Sequence, residues 1–149
     1  MAAGRASAGR AAGGAHIASG HLAYLDSSAY AKLVLEQDGH VELRQQLAEW
    51  TGFVSSTLLA VEAIRACGRY GAAYAREARA WLEGIALLPM DDPVLDAATS
   101  LTPPTLRSLD ALHLATALSI RDDLGAFFTH DGRLAEAAAA YGLPVRRPE

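Results

Sequence analysis

From Leu22 onward the spacing of apolar and polar residues changes repeatedly, and each change predicts a new element. HLAYLD (residues 21–26) is a short apolar run ending on an aspartate, which predicts a buried strand. SAYAKLVLEQ (28–37) and VELRQQLAEW (41–50) then carry apolar residues at helical spacing. GFVS (52–55) predicts a second strand and STLLAVEAIRACGRY (56–70) a long helix. AAYAREARAWLEG (72–84) predicts another helix, with an exposed arginine and glutamate face. IALLPM (85–90) is the third strand. Asp92-Pro93 has the form of an N-cap with proline in the first turn, opening PVLDAATSL. Ser108 is placed to cap LDALHLATALSIRDD, AFFTH (126–130) predicts the fourth strand, DGRLAEAAAAYG (131–142) the last helix and LPVRR (143–147) a closing strand.

Strands separated by helices of this length predict an α/β fold: a parallel sheet of about five strands with helices on both faces, in three α/β/α layers. Ligands of such sheets bind at the carboxyl ends of the strands. Residues 1–20 are different material. They hold five of the chain's 13 glycines with no hydrophobic period, so they read as a flexible extension before one folded domain over 21–149.

Composition then removes several classes. A hydrophobic content of 51% argues against disorder, and no apolar run approaches the ~20 residues of a membrane span. The single cysteine, Cys67, cannot form an internal disulfide and reads as a buried small side chain in a reducing cytoplasm. Net charge is −4; without Arg5 and Arg10 of the leader, 11 basic side chains face 17 acidic ones, a net −6. That is wrong for a protein that coats nucleic acid through a basic surface. It leaves room for a nuclease whose acids bind metal.

Four carboxylates carry the candidate chemistry. Asp26 ends the first strand, Asp131 follows the fourth, Asp110 lies in the first turn of its helix, and Glu62 lies one to two turns into another. Each sits among apolar or small residues, where a carboxylate is costly to bury without a cation or strong donor. Together at one rim of the sheet they would hold a hard divalent ion. Taken singly, Asp26, Asp110 and Asp131 also fit helix N-terminal charges, and Glu62 has Arg65 or Arg69 as another partner. Ser27 and Thr129 flank the acids and can hydrogen-bond to them, or simply end a strand. Arg107 and Arg133 adjoin two acids and suit RNA phosphates or solvent. Arg65, Arg69, Arg76 and Arg79, interleaved with Tyr70 and Tyr74, suggest a track for single-stranded RNA, or an ordinary helix surface. His113 and His130 are placed for a general acid, though a packed helix histidine and an exposed loop histidine describe them as well.

Other acid-bearing classes lack a necessary part. A receiver domain needs a lysine after its last strand, and the one lysine is Lys32. A haloacid-dehalogenase-like phosphatase wants D-x-D where this chain has Asp26-Ser27-Ser28, and neither a G-x-x-x-x-G-K-[ST] loop nor a G-x-S-x-G elbow is present.

YLDSSAYAKL, SSTLLAVEAIRA, LRSLDALHLATAL and FFTHDGRLAEAA, in that order from about Tyr24 to Val145, resemble the PIN-domain ribonucleases, specifically the VapC-like toxins of bacterial toxin–antitoxin pairs. The resemblance implies a Mg²⁺- or Mn²⁺-dependent endoribonuclease in which Asp26, Glu62, Asp110 and Asp131 hold the metal and water attacks the RNA phosphodiester. The leader has no counterpart in it. Apolar faces on SAYAKLVLEQ, VELRQQLAEW and AAYAREARAWLEG predict a homodimer with a groove for an antitoxin's amphipathic segment. The alternative expectation is a PIN-fold binding module that acts through a protein partner with little nuclease activity.

Overall fold

Strand β1 (Leu22–Leu25) is buried along its whole length. Successive strand residues project to opposite faces, so Leu22 and Tyr24 enter one core while Ala23 and Leu25 enter the other. A strand buried on both sides belongs at the centre of a covered parallel sheet. In the computed structural model, which describes residues 21–148, β1 pairs in parallel with β2 (Gly52–Ser56) and β4 (Leu124–Phe128). Beyond them lie β3 (Ala86–Leu88) and β5 (Val145–Arg146), also parallel, giving the order β3-β2-β1-β4-β5. The extension expected over residues 1–20 lies outside the described residues.

Seven α-helices among the described residues supply the outer layers: α1 (Ser27–Val34), α2 (His40–Leu47), α3 (Leu58–Gly68), α4 (Ala72–Leu82), α5 (Asp92–Thr99), α6 (Ser108–Ser119) and α7 (Gly132–Ala140). Tyr30 and Leu33 of α1, Leu43 of α2 and Leu59 of α3 pack with Ala23 and Leu25. Leu114 of α6 and Leu134 of α7 pack with Tyr24 and Phe127 on the opposite face. This is the expected three-layer α/β/α sandwich, and none of its described helices is long and apolar enough to cross a membrane.

Some element ends differ from expectation. Asp91, not Asp92, caps α5: its extended backbone lets the carboxylate accept from Val94 N at 3.1 Å, the N-cap to N3 geometry. Ser108 is the first helical residue of α6 rather than its cap, and Arg107 holds the cap position without a side-chain bond to the helix. Strand β4 begins at Leu124, after a 3₁₀ turn over Arg121–Asp123, and ends before Thr129.

The chain runs outward from β1 through β2 to β3, then returns to the other side of β1 with β4. Such a reversal opens a crevice at the carboxyl ends of the strands on either side of it. Asp26 and Thr129 leave the sheet there as neighbours, with Asp26 N donating to Phe128 O at 3.2 Å.

Candidate active site

Asp26 is 2% exposed, at the N-cap of α1. Its Oδ1 accepts from Ala29 N at 2.9 Å, its Oδ2 accepts from Thr129 Oγ1 at 2.5 Å, and Ser28 Oγ lies 2.8 and 2.9 Å from the two oxygens. Burial pushes the carboxyl above the ordinary aspartate value and outweighs the opposing pull of Thr129, Ala29, His113 and Ser28. Thr129 Oγ1 also accepts from Asp131 N at 3.0 Å, and Ser28 Oγ accepts from His130 N at 2.8 Å. The two hydroxyls therefore tie the end of β1 to the turn after β4.

Glu62 reaches inward from α3. Its Oε1 lies 2.6 Å from His113 Nε2, and His113 Nδ1 lies 2.8 Å from the hydroxyl of Tyr24. Tyr24 stacks on Phe127 at 5.1 Å between ring centroids. Burial holds its phenol well above the usual tyrosine range, so Tyr24 keeps its proton.

Asp110 and Asp131 share a cation. Arg107 Nε donates to Asp110 Oδ2 at 3.0 Å and an Nη to Asp131 Oδ2 at 2.7 Å. The other oxygen of Asp131 caps α7 through Leu134 N at 3.0 Å, so this acid serves the helix and the cleft together. The Arg107 side chain is 66% exposed, so each pair is of the weak, solvent-screened kind.

All four acids line one open cleft of about 620 Å³, with Arg65, Arg69 and Arg107 on its walls. Carboxylates are the donor type a hard divalent ion takes, and Mg²⁺ needs only one or two of them beside its waters and substrate phosphates. The donor set thus fits such an ion in kind. Among the described residues, no three of His, Cys, Asp and Glu stand close enough together to form a ligand group. Instead Arg107 spans Asp110 and Asp131, and His113 takes one oxygen of Glu62.

The supporting residues are distributed differently from expectation. Ser27 lines the cleft, but the serine hydroxyl bound to Asp26 is that of Ser28. Serine at the residue after an N-cap and serine one place later look alike in sequence; only the direction of the first helical turn separates them. Arg133 lies in a separate hollow with Thr102, Pro103 and Glu136. His130 is half-buried rather than exposed, with Nε2 2.7 Å from Pro148 O. His113 is packed on its helix as expected, but both ring nitrogens are engaged. Its tie to Glu62 spans 51 residues and has no local signature, although an apolar helix face carrying one histidine was the available signal.

The PIN domain family profile matches residues 23–140. The chain belongs to the PIN domain family. Among curated relatives, ribonuclease VapC47 of Mycobacterium tuberculosis is 39% identical over 132 residues, covering 85% of this chain and 97% of that protein. Ribonuclease VapC46 of the same organism is 41% identical over 125 residues, covering 84% and 96%. The crystal structure of M. tuberculosis VapC20, described as a sarcin-ricin loop cleaving toxin, shares the PIN fold with a TM-score of 0.68 at 18% identity, covering 85% of this chain and 99% of that one. A toxin–antitoxin complex from Klebsiella pneumoniae superposes with a TM-score of 0.66 at 22% identity, covering 85% and 98%.

Proposed function

We propose that this PIN domain is a divalent-metal-dependent endoribonuclease of the toxin kind, acting on RNA in the cytoplasm and restrained by an antitoxin protein. One observation carries the reading: Asp26, Glu62, Asp110 and Asp131, from four separate stretches of chain, line a single cleft. VapC47 and VapC46 are ribonucleases matched over nearly their whole length, which supports the activity.

The four acids would hold Mg²⁺ or Mn²⁺, which supplies an acidified water as nucleophile and a countercharge for the phosphorane. Thr129 and Ser28 fix both oxygens of Asp26, so one carboxylate is held in place before substrate arrives. Arg107, bonded to Asp110 and Asp131 here, is long and exposed enough to turn to an RNA phosphate when a metal takes over their charge. Arg65 and Arg69 on the same walls suit the flanking phosphates. Arg133 lies outside this cleft, in its separate hollow.

The partner reading rests on other surfaces. A groove of about 340 Å³ lined by Tyr30, Leu33, Leu47, Trp50, Phe53 and Trp81 suits the apolar side of an antitoxin's amphipathic helix. Val61 and Leu109, 59% and 48% exposed at the rim of the acidic cleft, suit a second copy of the chain.

The test is cleavage of single-stranded RNA by the pure protein, silenced by EDTA and restored by Mg²⁺ or Mn²⁺. A protein that leaves RNA intact with either ion, yet binds a partner in the apolar groove, is a binding module and ends the nuclease reading.

A further inference from the structure

We infer that His113 is a positioning residue for Glu62: from inside the core it fixes which oxygen of that acid is engaged and which faces the cleft. The inference rests on the metal-site reading of Glu62 given above. His113 is 1% exposed and sits on α6 between two partners, Glu62 Oε1 at 2.6 Å and the Tyr24 hydroxyl at 2.8 Å.

The direction of these bonds follows from what each group can do. An ionised glutamate only accepts, so Nε2 must carry a hydrogen and donate to Oε1. In the neutral ring Nδ1 is then an acceptor, and the Tyr24 hydroxyl, which keeps its proton, donates to it. In the charged ring Nδ1 donates and the same hydroxyl accepts. Either way the Nε2–H···Oε1 bond survives, so the contact needs no particular charge on His113.

Tyr24 is itself tightly packed. It is fully buried, stacked on Phe127 at 5.1 Å and edge-on to His113 at 5.8 Å. The relay therefore runs from a rigid aromatic pair in the core, through an imidazole, to a carboxylate at the cleft. Its consequence is that Oε1 is engaged and Oε2 is the oxygen of Glu62 left for an ion. Glutamate otherwise has three side-chain torsions to order at each binding event.

Two buried amides separate this role from simple packing. The glutamine amide of His113→Gln reaches the position of Nε2, while the asparagine amide of His113→Asn reaches only that of Nδ1. Mn²⁺ binding without RNA, followed by electron paramagnetic resonance, should weaken by about 10- to 100-fold in His113→Asn, the loss typical of a partner that orients a metal ligand. In His113→Gln it should stay close to wild type. RNA cleavage should follow the same order, with the loss in kcat rather than in KM. Equal Mn²⁺ binding by the two variants overturns the inference. Should neither variant fold, ¹⁵N chemical shifts of His113 in the wild type decide: a ring protonated at Nε2 supports it, and one protonated at Nδ1 alone overturns it. A wild type that cleaves RNA while His113→Asn matches it defeats only the positioning role. A wild type that neither cleaves RNA nor binds Mn²⁺ defeats the nuclease reading and this inference with it.

Discussion

Replacing Thr129 by valine keeps the side-chain shape and removes one hydroxyl, so it isolates what holds Asp26 in place. Thr129 is fully buried, and its Oγ1 donates to Asp26 Oδ2 at 2.5 Å while accepting from Asp131 N at 3.0 Å. A hydrogen bond to a charged group contributes about 1.5–3 kcal/mol, and an orphaned backbone N–H costs about 1 kcal/mol more. The near-equal volume of valine adds little cavity cost. The sum is roughly 3 kcal/mol, which for a domain of this size lowers Tm by about 10 °C. Urea unfolding at pH 7.5 in EDTA measures it. In an Asp26→Asn background the charge is gone, and the same substitution should cost only about 2 kcal/mol, the orphaned N–H plus one neutral hydrogen bond. A loss below about 0.5 kcal/mol, or an equal loss in both backgrounds, would show that Thr129 merely fills space.

Three further outcomes follow from the same contacts. Because burial raises the Asp26 carboxyl above its ordinary value of 3.8, the folded state keeps a proton that the unfolded chain has released; stability in EDTA should fall as pH rises from about 4 through the raised value, and Asp26→Asn should flatten that slope in urea midpoints taken across the range. Arg107→Gln should change stability by less than about 1 kcal/mol, given its exposure, yet tighten Mg²⁺ binding in calorimetry by removing a competing cation; unchanged or weaker binding would argue against competition. Asp131→Asn should keep the cap of α7 and near-native stability, whereas Asp131→Ala should lose about 1 kcal/mol in urea unfolding; equal stabilities would remove the capping role.

The layered fold was legible because its signals are local. The unbroken apolar run LAYL, helical spacing in the segments between strands and turn residues at their ends each act over a few positions, and β1 buried on both faces follows from the first. The approach of the four acids to one cleft was legible through the rule for carboxyl ends of parallel strands, which converts strand position into proximity. What the sequence hid depends on direction and distance. Ser28 replaces Ser27 at Asp26 because one step along a helix turns a side chain by about 100°. Arg107 and Asp131 meet across 24 positions and His113 and Glu62 across 51, which no periodicity encodes. Arg133 follows Asp131 closely in sequence, yet α7 carries it to another hollow.

Whether four acids from separate stretches act as one metal site that cuts RNA is decided by the Mg²⁺-dependent cleavage rate of a single-stranded RNA by the wild type and by Asp26→Asn, Glu62→Gln, Asp110→Asn and Asp131→Asn, each first shown folded by circular dichroism. The wild type should cleave, and every variant should lose at least about 100-fold, the upper end of what removing a mere supporting partner of a metal ligand costs. Wild-type rates in any one variant would take that residue out of the site, and rates independent of Mg²⁺ in the wild type would rule out the metal site altogether.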